Sequence, residues 1–197
     1  MDNHLTLKQH ITNICKSASW GIFKIGKIRR LLDQSSTERL VHAFISSHLD
    51  YCNSLLAGLP ISHLSPLQRV QNTAARLVTL SRKHDHISPI LRSLHWLPVH
   101  SRITFKILLL TYKITRNLAP TYLKDLISLR SSSSARPLRS SSSLQLCYGP
   151  RTKTRYGDRA FSSIAPTLWN KLPAHIQNAT STESFKILLK THLSRQW

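Results

Sequence analysis

SRITFKILLLTYKITRN, Ser101 to Asn117, is the stretch that decides the fold. Ile103, Ile107, Leu110 and Ile114 recur at helical spacing on one face, and Leu108 and Leu109 widen that stripe. A helix this apolar belongs at the centre of a core. Its apolar run, Ile107 to Leu110, is the longest in the chain and far short of the roughly 20 residues that span a membrane. A mainly α protein is expected.

Upstream of this helix, Trp96, Leu97 and Pro98 form an apolar elbow, and Ser88-Pro89 opens a short helix through Leu94. A longer helix starts at Ser65-Pro66, an N-cap followed by proline at the first helical position. It turns Leu67, Val70, Ala74, Leu77 and Val78 inward and Arg69, Asn72, Arg76 and Lys83 outward. Before it, Ser35 and Glu38 have the spacing of a capping box. That box leads into a stripe of Val41, Ile45, His48, Cys52 and Leu55, closed by Gly58 and Pro60. On this reading His48 is a buried, hydrogen-bonded histidine and Cys52 a small apolar filler. The first helix buries Leu7, Ile11, Ile14, Ala18, Ile22, Ile25 and Leu32, with Thr6 as its N-cap. Gly21 and Gly26 predict a bend or break in its middle.

Downstream, Pro120 ends the central helix and a short helix near Tyr122 to Ile127 follows. Residues 128–144 carry two four-serine runs with Arg130, Arg136 and Arg139, and too few large apolar groups to pack, which predicts a flexible linker. Leu144 to Tyr156 predicts a short extended pair turning at Gly149-Pro150. Asp158 to Ala165 reads as helix, interrupted at Pro166, with another turn through Leu172. A capping box at Thr180 and Glu183 opens a last helix that buries Phe185, Leu188 and Leu189. The expected organisation is a helical body over 1–127, a Ser/Arg-rich linker over 128–144 and a small basic α-rich tail over 145–197.

Charge narrows the function. The 197 residues hold 28 Lys and Arg against 8 Asp and Glu, a net +20, while 41% are hydrophobic. A core is affordable, and the surface favours a polyanionic partner, most commonly nucleic acid. No two carboxylates lie closer than five residues apart in sequence. Metal-dependent polymerase, nuclease and kinase chemistry needs carboxylates that converge, so such scarcity argues against it. The three cysteines, Cys15, Cys52 and Cys147, are too few and too far apart for a disulfide framework. His84-x-His86 stands without a C-x-x-C or H-E-x-x-H motif, so no zinc site is expected. Neither a G-x-S-x-G elbow nor a phosphate loop occurs. No catalytic residue, metal or cofactor is therefore assigned. Met1 to His10 is polar and has no apolar h-region, which points to an intracellular protein, nuclear or cytoplasmic, without membrane partners.

Three basic clusters are the candidate contacts. Lys16, Trp20, Lys24 and Lys27 share one face of the first helix, and Arg29 and Arg30 close it. Arg69, Arg76, Arg82 and Lys83 line the third long segment and its exit. Arg151, Lys153, Arg155 and Arg159 alternate in the tail. Such side chains neutralise phosphates and release counterions, giving salt-dependent affinity without sequence preference. Trp20 and Tyr156 lie among them and are suited to stack on bases.

Five blocks in order carry a family resemblance: STERLVHAFISSHLDYCNSLLAGLP (Ser36 to Pro60), LQRVQNTAARLV (Leu67 to Val78), HISPILRSLHWLPVHSRITFKILLLTYK (His86 to Lys113), YGDRAFSSIAPTLWNKLP (Tyr156 to Pro173) and SFKILLKTHL (Ser184 to Leu193). Together they resemble the carboxy-terminal end of non-LTR (LINE-type) retrotransposon reverse transcriptases, and HLTLKQHI (His4 to Ile11) looks like the palm-to-thumb connection. The resemblance implies a helical, thumb-like bundle that grips RNA or an RNA–DNA or DNA duplex and whose other partner is the fingers–palm region. The palm's aromatic-Ala-Asp-Asp tetrapeptide is missing, and the chain has no adjacent acidic pair. The resemblance thus implies an enzyme part that is inactive alone. The alternative is a domesticated fragment or expressed remnant, acting as a protein-interaction scaffold or without a selected role.

Overall fold

The computed structural model describes residues 6–127, 146 and 153–197. They are mainly helical and form two compact units, one up to Ile103 together with Trp197, the other from Thr104 to Gln196. This boundary falls inside the central helix, whereas composition alone divides the chain at the serine-rich segment. The linker over 128–144 lies outside the described residues, as does most of the extended pair expected over 144–156 with its turn at Gly149-Pro150; at its end Arg155 and Tyr156 belong to a short helix, Arg155–Asp158, and not to a strand.

In the first unit, α1 spans Lys8–Ile28 and buries Ile11, Ile14, Ala18 and Ile25. The left-handed Leu7 occupies the cap position, and Thr6 lies one residue earlier, its hydroxyl accepting the Lys8 N–H at 3.4 Å. The helix does not break at its glycines. A Cβ on Gly21 would stand 3.4 Å from both the Phe44 carbonyl oxygen and Ile45 Cγ1, so the missing side chain admits the next helix at close range. Gly26 faces open space.

That next helix is one continuous rod of α2 (Gln34–Val41), a π turn (His42–Ser46) and α3 (Ser47–Asp50). Its N-cap is Asp33, whose carboxylate accepts the Ser36 N–H at 3.2 Å, and not Ser35 as the capping box predicted. The π turn explains a second difference. Ser47 N–H reaches back five residues to the His42 carbonyl, which inserts one residue into the helical count. Val41 and Ile45 are buried as expected, and past the turn Leu49 is buried where His48 was expected; the helix then ends at Asp50, short of the expected Leu55, and a left-handed Cys52 and a 3-10 turn over Asn53–Leu56 bury Asn53 and Leu56 in place of Cys52 and Leu55. His48 and Cys52 are exposed.

α4 spans Ile61–Thr79 and begins four residues before Ser65, with Pro60 at the cap position. Pro66 is accommodated inside it. The Ser65 hydroxyl donates at 2.9 Å to the Ser62 carbonyl, the acceptor that Pro66 leaves without its usual N–H. Leu67, Val70, Ala74 and Val78 are buried as expected, and Leu77 is half-buried. α5 (Ile87–Ser93) leads into the elbow, where Trp96 and Leu97 are buried. Two glutamines of α4 hold the elbow's backbone. Gln71 Nε2 donates to the Leu97 carbonyl at 2.8 Å, and Gln68 Oε1 accepts the Val99 N–H at 2.9 Å, a first-turn donor that has no partner within its own helix.

α6 spans Val99–Thr115. Ile103, Ile107, Leu108, Tyr112 and Ile114 are buried, while Leu109 and Leu110 are half-buried, so the stripe is rotated slightly from its expected centre. From Thr104 onward this helix is the base of the second unit, which adds α7 (Thr121–Lys124), α8 (Arg155–Asp158), α9 (Phe161–Trp169), α10 (Ala174–Gln177) and α11 (Thr182–Ser194). Tyr112 stacks on Phe185 with ring centroids 4.2 Å apart, and its hydroxyl donates to the Ala179 carbonyl at 2.9 Å. Trp169 also stacks on Phe185, with ring centroids 6.1 Å apart. Pro166 sits within α9 and does not interrupt it. Asn170 brackets Leu146 with two hydrogen bonds of 3.0 Å, one to its N–H and one from its side-chain amide to the carbonyl. The last helix is capped by Ser181, which accepts the Ser184 N–H at 3.1 Å, one residue later than the Thr180 box predicted.

Candidate nucleic-acid interface

The solvent face of α1 carries the most developed chemistry. Lys16, Trp20, Lys24 and Lys27 are all exposed, at the helical spacing expected of one face. Phe23, which the charge pattern did not single out, joins them. Trp20 and Phe23 are 58% and 52% exposed and stack with centroids 5.6 Å apart and planes 18° from parallel. Lys24 Nζ lies 5.0 Å over the Trp20 ring and Lys27 Nζ 4.6 Å over the Phe23 ring. Two large aromatic faces and their ammonium groups thus form one continuous strip. No acidic residue falls between Lys8 and Ile28 to neutralise it.

Arg29 is a correction. It was expected to contact phosphate, but it is only 7% exposed. Its guanidinium donates to the carbonyls of Leu77 and Val78 at 2.8 Å and of Leu32 at 2.7 Å. The first two are last-turn acceptors of α4, where unbonded carbonyls and the negative end of the helix dipole favour a cation. Its neighbour Arg30 is exposed. Through Arg29 the ends of α1 and α4 meet, which brings Arg30 and the exposed Arg82 and Lys83 to the same end of the first unit. Arg76 is half-buried and donates from Nη2 to the Asp85 carbonyl at 3.1 Å, so it serves the loop after α4 before any ligand. Arg69 is exposed on α4.

In the tail, Arg151 lies outside the described residues, and nothing is described of the Arg155 side chain. Lys153 is exposed and Arg159 half-buried. Tyr156 is exposed in the same short stretch.

Five of the eight acids are engaged elsewhere. Asp33 caps α2. Glu38 accepts from Trp96 Nε1 at 3.2 Å and stands 3.5 Å from His42. Asp50 holds Arg102, with Nε to Oδ1 at 2.8 Å. Asp85 accepts the Arg82 N–H at 2.7 Å, and Glu183 pairs with Lys186 at 2.8 Å. Among the described residues no carboxylate pairs with Lys16, Lys24, Lys27, Arg30, Arg69, Arg82 or Lys83. Among the same residues no three His, Cys, Asp or Glu side chains gather as a metal site would require. Burial pushes the Cys15 thiol above its ordinary range, away from the reactive thiolate. No described helix is long and apolar enough to cross a membrane.

No family model, curated protein or solved structure matches this chain.

Proposed function

We propose that the chain is a nucleic-acid-binding module, the thumb and carboxy-terminal portion of a retrotransposon-type RNA-directed DNA polymerase, inactive in synthesis by itself. One observation carries the reading: among the described residues Lys16, Lys24, Lys27, Arg30, Arg69, Arg82 and Lys83 stand without carboxylate partners, while Asp33 caps a helix and Glu38 and Asp50 hold Trp96 and Arg102. Unpaired cations repel one another, and a phosphate backbone relieves that repulsion. The family identity rests on the five sequence blocks alone; the mainly helical fold agrees with a thumb.

Salt titration tests the binding. The affinity of the full chain for RNA or duplex should fall linearly on log–log axes, with a slope of about −0.9 for each duplex phosphate neutralised and about −0.7 on a single strand. Absence of binding at about 50 mM salt, where these contacts are strongest, ends the reading and leaves the scaffold alternative. Primer extension by the purified chain with magnesium and dNTPs should not exceed a blank; synthesis above it ends the claim that the chain is inactive alone.

A further inference from the structure

We propose that the outward strip of α1, centred on the stacked Trp20 and Phe23 rings, binds unpaired bases of a single-stranded nucleic acid, with Lys16, Lys24 and Lys27 on its phosphates. The proposal rests on the nucleic-acid reading above and narrows it to a strand type and a site.

Three features single out this strip. Aromatic rings are unfavourable on an exposed helix face, yet two stand here side by side and stay more than half exposed beneath their lysines. Their planes are within 18° of parallel, so the pair offers a platform of one orientation, one ring for each of two neighbouring bases. The lysines lie at the rings and along the helix on both sides of Trp20, and among the described residues none is paired to an acid. An ammonium over an exposed ring is weakly held. An arriving base can take the ring face and release the ammonium to the adjoining phosphate, so stacking and charge neutralisation occur together. A duplex hides its bases in its own stack and offers this convex face little but phosphate, which would leave both rings unused. Gly21 lies between the rings in sequence and lets the Phe44 segment pack beneath, which fixes α1 at this point.

The test uses the full chain at about 150 mM salt and three probes of equal length: an oligothymidylate, an abasic strand with the same backbone, and a duplex. The intact strand should bind roughly tenfold or more tighter than the abasic one, the scale expected for stacking on one or two rings. Trp20→Ala with Phe23→Ala should erase that margin, while Trp20→Phe, which keeps a ring, should retain most of it. Trp96 and Trp169 are buried and Trp197 is half-buried, so binding should quench the exposed Trp20, a change that Trp20→Phe should remove. Equal affinity for intact and abasic strands, or a margin that survives the double substitution, overturns this proposal. If duplex still binds with a steep salt slope in that case, the broader reading stands; if none of the three probes binds at about 150 mM salt this proposal falls, and if none binds at about 50 mM either, the broader reading falls with it.

Discussion

The Arg29 guanidinium donates from Nε to the Leu77 carbonyl at 2.8 Å, tying the end of α1 to the last turn of α4. The basic run Lys27 to Arg30 therefore divides into a structural cation and exposed ones. Arg29→Ala leaves the carbonyls of Leu77 and Val78 without this donor in a buried place, and a loss of about 3 kcal/mol or more is expected. Arg29→Lys should recover only part, since one ammonium cannot reproduce the three-way fork. Chemical denaturation measures both. The salt slope of nucleic-acid binding should be unchanged in folded Arg29→Lys and shallower in Arg30→Ala. The reverse pattern would return Arg29 to the binding face.

The helical character was legible because the stripes on α1, α4 and α6 are strong. What escaped were departures that leave no local pattern. A 3.6-residue count assumes an unbroken α-helix, so the residue inserted at the π turn displaced His48, and the end of the helix at Asp50, followed by a left-handed Cys52 and a 3-10 turn, displaced Cys52 and Leu55. Caps slipped by a residue or two because Asp33 and Ser35, or Thr180 and Ser181, are equally good cap residues in sequence. Nothing in the local sequence marks Gln68 and Gln71 as the residues that hold the elbow, because only the fold brings Leu97 and Val99 to them. At the candidate site, charge picked out an exposed face of α1, but Phe23 was invisible to a search for cations and Arg29 indistinguishable from its exposed neighbours.

Tyr112 and Phe185 should dominate the second unit. Tyr112→Phe loses one hydroxyl donor, but the Ala179 carbonyl keeps Arg116 Nη2 at 3.0 Å, so about 1 kcal/mol is expected. Phe185→Ala removes a fully buried ring stacked against both Tyr112 and Trp169 and should cost about 3–5 kcal/mol. Equal losses for the two variants in thermal melts would contradict this packing.

Asp33 gives the fold a pH signature. The hydrogen bonds it accepts from Ser36 hold its carboxyl below the ordinary aspartate value. A lowered native pKa means the carboxylate's contribution is fully present above the unfolded value of about 3.9 and is lost as pH falls through the native one. The Tm gap between the wild type and Asp33→Ala should therefore be widest near neutrality and narrow below about pH 4. Asp33→Asn, an equally good cap, should lie close to the wild type at neutral pH. A gap independent of pH would mean that the carboxylate does not cap α2.

Ile107 is 1% exposed on α6, with Leu108 and Thr111 buried beside it. An aspartate there would be a buried charge without a partner, worth several kcal/mol and enough to unfold the second unit. Cooperative melting at the wild-type temperature would contradict the placement of this helix.

The two glycines of α1 separate helix propensity from packing. Gly26 is in the helix interior with nothing near its missing Cβ, so Gly26→Ala should stabilise by about 0.5–1 kcal/mol, the ordinary gain of alanine over glycine in a helix. Gly21 has the same propensity to gain, but its Cβ would already touch the Phe44 carbonyl oxygen and Ile45 at 3.4 Å. The further methyls of Gly21→Val have no room without pushing the π turn away, and overpacking of this kind costs about 1–3 kcal/mol. The Tm should rise for Gly26→Ala and fall for Gly21→Val. If both rise, α1 and the π turn are not in close contact, and the support beneath the Trp20–Phe23 strip is absent.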